Sequence, residues 1–281
     1  MKNPGKLNLG CGSRFCNDWI NVNFTSSYKG VIAANLGKGI PFHDGSFELV
    51  YHSHLLEHFS KSEAPVFLKE CFRVLKPGGV IRIVVPDLES IARNYLLELE
   101  RARAGYESGQ HNHEWMLLEM YDQVSRNESG GEMARYLFSE IVPNEQFVVS
   151  RCGSEVQNLI VSSRKSREVT QATTPSGKSA VRNILSSLLK PKLWREKLIQ
   201  LLLGKEFKAL QIGRFRLGGE NHQWMYDSYS LERMLRDCGF NSIAVRNATE
   251  SYVPDWASFN LDTEPDGVVY KPDSLFIEAI K

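Results

Sequence analysis

The sequence predicts an α/β fold: a doubly wound, mostly parallel sheet of seven strands, interrupted by a long helical insertion. Three observations predict it. Short β-rich runs recur from residue 5 to about residue 90, separated by loops and one helix. A helix and two strands return at the C-terminal end. Between these blocks, from about residue 95 to 215, helical periodicity replaces strand patterns.

The elements follow in order. Lys6 to Leu9 is a short strand that runs into the turn Gly10-Cys11-Gly12. Trp19 to Phe24 is a second strand with Ile20, Val22 and Phe24 on one face, and Val31 to Ala34 is a third. Asp44-Gly45 signals a turn before the fourth strand, Phe47 to His52. Ser62 to Leu75 is an amphipathic helix, with Phe67, Leu68, Cys71, Phe72 and Leu75 at spacings of three and four. Ser62 suits its N-cap, and Pro65 fits its first turn. Lys76-Pro77-Gly78-Gly79 stops it, and the β-branched run Val80 to Val85 suits a central strand. Ser230 to Cys238, closed by Gly239, is a late helix; Asn241 to Val245 and Ser274 to Ile280 are the last strands. The organisation is therefore 1–94 for the first part of the core, 95–215 for an insertion or lid, and 216–281 for completion of the sheet.

Within the insertion, Tyr95 to Ala104, Glu114 to Arg126 and Ala180 to Leu203 read as helices. Ser162 to Lys178, rich in Ser, Thr, Lys and Arg, reads as a mobile loop. Charge is uneven. Val161 to Leu217 holds thirteen Lys or Arg against three Glu, although the whole chain is only +1. Residues 181–203 interleave leucines and Trp194 with Arg182, Lys190, Lys192, Arg195 and Lys197, broken near Pro191. This basic amphipathic pattern suits either a lid packed on the sheet or contact with the inner membrane surface. No nucleic-acid motif accompanies it, so no nucleic-acid partner is expected.

Composition narrows the class. Hydrophobic residues make up 42%, enough for a sizeable core. No run of 18 apolar residues suggests a membrane span, and the N-terminus runs directly into a strand without a secretory signal. Five scattered cysteines suit reduced thiols and a cytoplasmic protein, peripheral at the inner membrane if residues 181–203 bind there.

Gly10 and Gly12 let backbone approach a ligand at the carboxyl end of the sheet. A dinucleotide fingerprint would carry a glycine three residues beyond Gly12, where Phe15 stands, and this disfavours a nicotinamide-dependent oxidoreductase. The wider series is more specific. It runs from Leu7-Asn8-Leu9-Gly10-Cys11-Gly12 through Trp19-Ile20-Asn21-Val22-Asn23 to Pro41-Phe42-His43-Asp44-Gly45-Ser46-Phe47. His54-Leu55-Leu56-Glu57-His58 and Arg73-Val74-Leu75-Lys76-Pro77-Gly78-Gly79 follow. In order and spacing this series, over residues 5 to 90, resembles the class I S-adenosylmethionine-dependent methyltransferases, which have a Rossmann-like sheet. The block Gly219-Glu220-Asn221-His222-Gln223-Trp224-Met225-Tyr226-Asp227 and the last strand resemble a bacterial subfamily linked to cell-surface polysaccharide biosynthesis.

The resemblance implies S-adenosylmethionine as cofactor, with Gly10, Cys11 and Gly12 beside its methionine and ribose. It places Asn23 where an acidic residue usually binds the ribose hydroxyls. It places Asn35, followed by Leu36, where a second acidic residue usually sits near the adenine. Asparagine loses the charge-assisted bond to a hydroxyl. The expected function is methyl transfer, with O-methylation of a saccharide or lipid-linked glycan as the expected reaction; the alternative is a degenerate, non-catalytic binding or scaffold protein.

Ser53 and His54 follow the fourth strand, on the cofactor side or in the acceptor pocket. His54, Asp87 and His222 are the candidate catalytic bases for a hydroxyl acceptor. Asp227 reads as a helix cap. His54 to His58 also fits the H-x-x-E-H spacing of some zinc peptidases, but no further ligand is evident, and His111 and His113 suggest none either. No metal is expected.

Overall fold

The structure, a computed structural model, describes residues 5–26, 28–172 and 191–281. Seven strands form one sheet: β1 (Lys6–Leu9), β2 (Ile20–Asn23), β3 (Val31–Ala33), β4 (Phe47–Ser53), β5 (Leu75–Pro86), β6 (Asn241–Arg246) and β7 (Ser274–Ile280). Their order is β3-β2-β1-β4-β5-β7-β6. The first five run parallel, and β7 is antiparallel to both β5 and β6. The expected seven-stranded, mostly parallel sheet is thus present. Phe24 falls beyond β2 and is exposed.

Strand alternation sorts side chains onto two faces. Val50, Ile81, Ile83, Val85, Leu275, Ile277 and Ala279 join one apolar cluster with α1 (Ala64–Val74) and the late helix described below. Leu49, Tyr51, Val84 and Phe276 point the other way, against Trp19, Trp256 and Leu261. The first face carries helices. The second is covered by the irregular 247–270 segment with one 3-10 turn, Trp256–Phe259. No α-helix separates β1, β2 and β3 among the described residues, so the sheet has flanking helices but not an alternating helical wrap. The capping expectation for α1 also needs correction. Its N-cap is Glu63, without a side-chain cap bond, and Ser60 and Glu63 bond each other before it.

The insertion is helical as expected: α2 (Leu88–Arg103), α3 (Glu107–Ser125), α4 (Gly131–Leu137) and α5 (Glu145–Ala172). It buries a core of its own around Ile91, Trp115, Met116, Val148, Cys152 and Ile160. Its last part holds α6 (Pro191–Leu203) and α7 (Phe207–Arg216), and α8 (Ser228–Asp237) follows it. The mobile loop expected at Ser162 to Lys178 is overturned as far as Ala172, because α5 continues through it. Polar composition there marks a helix surface: Arg164 pairs with Glu145, and Arg167 bonds the Ser139 carbonyl. Residues 173–178 of that loop, and 180–190 of the helix expected to follow, lie outside the described residues. No helix among the described residues is long and apolar enough to cross a membrane.

Candidate active site at the carboxyl end of the sheet

The register of β1 against β4 pairs Leu9 with His52. The chain therefore leaves both strands side by side, Gly10 beside Ser53. Gly10 and Gly12 have φ of 67° and 52°, a region that favours glycine. A Cβ on Gly10 would meet the Leu55 side chain at 2.9 Å, whereas Gly12 faces open space. His54 itself has φ 48°, a strained value for a residue with a side chain. Its backbone is pinned by a bond from its N–H to the Val84 carbonyl (2.9 Å), and its Nε2 lies 2.9 Å from Ser274 Oγ.

These residues form one wall of a cavity of about 210 Å³, lined by Gly10, Cys11, Gly12, Ser53 and His54. The opposite wall is Glu155, Leu261, Tyr270 and Lys271. Arg14 bridges the two. Its guanidinium lies 3.9 Å from the Tyr270 ring centre, donates to the carbonyls of Asn260 (2.9 Å), Leu261 (3.0 Å) and Thr263, and pairs with Glu264. Lys271 pairs with Glu155 at 2.9 Å. Below this wall, Asp262 accepts bonds from Tyr51 (2.7 Å), Arg82 (2.7 Å) and Trp256 (2.8 Å). Arg82, fully buried, also pairs with Glu278 and donates to the carbonyls of Asn247 and Glu250. The insertion closes the rim. At Gly153, where α5 kinks with φ 73°, an added Cβ would stand 2.3 Å from the Tyr270 carbonyl oxygen, so only glycine lets the helix approach so closely.

Behind His54 lies a second polar group. Its Nδ1 is 3.4 Å from Glu57 Oε1, and His222 Nε2 is 4.0 Å from the same atom. The His58 and His222 rings meet edge to face at 4.9 Å. Burial pushes the Glu57 carboxyl up to about 8 and the His54, His58 and His222 imidazoles below their usual range. Burial likewise holds the Cys11 thiol up at about 11, so it faces the cavity as a neutral thiol.

Residues 18–83 match the family model described as a methyltransferase domain. That span holds β2, β3, β4, most of β5 and the His54 turn, and the sheet order above supplies the antiparallel seventh strand between the fifth and sixth. The chain has the fold of the class I S-adenosylmethionine-dependent methyltransferases.

Solved structures similar to it include a methyltransferase from Archaeoglobus fulgidus, 12% identical, with 100% of this chain and 87% of that one covered at a TM-score of 0.38. Another is a possible histamine N-methyltransferase from Thermotoga maritima, 11% identical, covering 100% and 84%, with a TM-score of 0.40. A Pyrococcus horikoshii protein is 25% identical over 33% of this chain and 55% of its own, with a TM-score of 0.26. No curated protein matches the chain.

Of the residues that the methyltransferase resemblance assigns to the cofactor, Gly10, Cys11, Gly12 and Ser53 line the 210 Å³ cavity. Asn23 stands half-buried at the end of β2, and its carbonyl accepts from Ala34. Asn35 is exposed, and its side chain caps the turn Leu36–Lys38 by accepting from the Gly37 N–H. Leu36 lines a different cavity, about 430 Å³, between that turn and α1. Among the catalytic candidates, His54 lines the first cavity. Asp87 is the N-cap of α2, accepting from Glu89 and Ser90 N–H. His222 sits behind the cavity wall, beside Glu57. Asp227 caps α8 in a capping box, as expected. Arg14, Glu155, Tyr270 and Lys271 escaped the sequence reading. Arg14 had a faint signal, its place just after the glycine turn; the others stand far from any motif.

Proposed function

We propose that this protein transfers a methyl group from S-adenosylmethionine to a hydroxyl of a saccharide or lipid-linked glycan. The observation that carries the reading is the strained His54 turn, placed beside Gly10 and Gly12 on one cavity at the carboxyl end of a methyltransferase sheet. The lining suits the cofactor's methionine end. Arg14, Lys271 and Glu155 make the lining charged, Lys271 paired with Glu155 and Arg14 with Glu264, and Gly12 leaves its backbone open to a ligand. When bound, the cofactor supplies an activated methyl group; the protein must align the acceptor and remove one proton. His54 is the base within reach of the cavity. Burial holds it neutral, which leaves a lone pair on one ring nitrogen but lowers its basicity.

The saccharide class is supported by the resemblance of the 219–227 block, and by the basic apolar surface in the last part of the insertion. On α6, Leu198, Leu201 and Leu202 are exposed beside Arg195 and Lys197. Exposed leucines among cations suit an anionic membrane surface, where a lipid-linked acceptor would be held. On this reading the protein works in the cytoplasm, peripheral at the inner membrane.

Isothermal calorimetry with S-adenosylmethionine, followed by mass spectrometry of candidate glycans, tests the proposal. Cofactor binding and the gain of one methyl group are expected; no binding at millimolar cofactor would reject it. The rival, a non-catalytic scaffold, is favoured by Asn23 and Asn35, and by the commitment of the Asn35 side chain to a cap. Binding only after Asn23→Asp and Asn35→Asp together would select the scaffold.

A further inference from the structure

Glu57 is fully buried, and neither of its carboxylate oxygens has a hydrogen-bond partner among the described residues. A buried carboxyl left in that state is costly, and it asks for a compensating group. Around it stand nitrogen donors rather than hydrogen-bond donors of fixed geometry. One ligand atom each from Glu57, His58 and His222 lies within 4.8 Å of the other two.

The tautomers suit ligation. His58 Nδ1 lies 3.3 Å from the Asn221 carbonyl oxygen, an acceptor only, so that nitrogen carries the proton and Nε2 keeps its lone pair. A ring N–H held by a backbone carbonyl while the other nitrogen binds is the usual arrangement around metal-bound histidine. The backbone is already fixed. The Gln223 and Trp224 N–H groups bond the Glu57 carbonyl at 2.6 and 3.3 Å, and the His222 N–H bonds that of Gln123 at 3.0 Å. His222 is therefore held beside Glu57 by its chain neighbours, not by chance rotamer contact. The Tyr226 hydroxyl is also buried without a hydrogen-bond partner among the described residues.

We propose that Glu57, His58 and His222 form a binding site for a first-row divalent metal ion, with Zn²⁺ the best-fitting ion, just behind the cavity wall that carries His54. Two imidazoles and one carboxylate match the donor preference of zinc over magnesium or calcium. Ligands at about 2.0–2.1 Å in a tetrahedron stand about 3.4 Å apart, so the side chains must close by roughly 1 Å. The site is buried, so the ion acts structurally. It ties the turn after β4 to the 221–226 segment, and through Glu57 it fixes the environment of His54. Local spacing hides this site: His54-x-x-Glu57-His58 lacks a third ligand until the fold brings His222 beside it.

The test uses tag-free, full-length protein dialysed against Zn²⁺ and then against metal-free buffer. Metal is counted by plasma mass spectrometry in the wild type and in Glu57→Gln, which preserves side-chain volume. One zinc per chain is expected in the wild type. Glu57→Gln should lose more than the roughly 10- to 100-fold in affinity that loss of an outer-shell partner produces. Cysteines, His111 and His113 are the same in both proteins, so the difference reports this cluster. Zinc should also raise the thermal midpoint of the wild type and leave that of Glu57→Gln unchanged. Co²⁺ should give a tetrahedral visible spectrum in the wild type alone. A wild type that returns metal-free from dialysis overturns the proposal, as does a Glu57→Gln variant that keeps zinc equally well. Neither result depends on cofactor binding or methyl transfer.

Discussion

On one side of the 210 Å³ cavity, backbone turns at Gly10 and Gly12 sit on strand ends whose side chains alternate between two apolar clusters. On the other side, Leu261, Tyr270 and Lys271 belong to an irregular segment anchored by the buried ions Arg82, Asp262 and Glu278. The first wall is local: it is made within a few residues of β1 and β4, and its stability is that of the sheet. The second is remote, and it stands only because charges far apart in sequence meet with almost every polar atom paired. Such walls fail differently. A hydrophobic strand end tolerates modest change, whereas removing one partner from a buried ion group strands the rest.

Arg82→Met should therefore have the largest effect. It leaves Asp262 and Glu278 buried without their cation, at a cost of about 3–5 kcal/mol, read as a lower midpoint in urea. If the segment really hangs from this group, limited proteolysis should cut within 247–270 before the sheet unfolds. Equal protection in both proteins would show that the remote wall holds itself.

Gly10→Ala strikes the local wall. The added methyl needs left-handed backbone and displaces Leu55, together worth about 3 kcal/mol. Cofactor affinity, measured by calorimetry, should fall further than stability does, because the turn itself faces the ligand. Gly12→Ala meets no protein atom and should cost about 1–2 kcal/mol from backbone strain alone, yet still weaken binding.

The same division explains what the sequence disclosed. Seven strands, the late completion of the sheet and the glycine turn are legible because each depends on alternation or on a turn residue within a few positions; the antiparallel direction of β7 has no such local signal. The helix at 162–172 was misread because its polar surface looks like a loop; the pairing of Arg164 with Glu145 spans 19 residues and has no local signature. The remote wall was invisible for a similar reason. Tyr270 and Lys271 acquire meaning only when Gly153 lets α5 touch residues 270–272. His222 is legible as a candidate base, but no local signal sets Glu57 beside it. Asn35 is assigned by the family resemblance and Asp87 as a candidate base, and in the fold both side chains cap helical turns.

A pH titration probes the floor where the two walls meet. Asp273 lines a small cavity with His54, and burial pushes its carboxyl up to about 7. Glu119 adds to the rise, while Lys271 and Arg151 oppose it. The unfolded chain loses this proton near pH 3.9. Between about pH 4 and 7 the native state thus holds a proton that the unfolded state has lost, so stability declines as pH rises through that window and levels off above it. The cleft is partly open to solvent, so the loss is about 2 kcal/mol rather than the full shift. Asp273→Asn should abolish that component. Urea unfolding at pH 5 and pH 8 measures it as the difference between the two proteins. Identical slopes would place Asp273 in contact with bulk water.

The smallest effect on stability is expected on α6, outside both walls. Leu201 and Leu202 are 81% and 74% exposed, so replacing both with Asp should change the unfolding free energy by less than about 0.5 kcal/mol. Binding to vesicles should respond very differently. If these leucines enter the interface while Arg195 and Lys197 meet anionic headgroups, the double variant should lose at least about tenfold in partitioning onto phosphatidylglycerol-containing vesicles. Raising salt should weaken the wild type on the same vesicles, because the cationic share of the attraction is screened. Neutral vesicles provide the contrast: weak binding there and strong binding on anionic ones would require both the charges and the leucines. Unchanged partitioning of the double variant would remove α6 from any membrane role and leave the acceptor without its proposed platform.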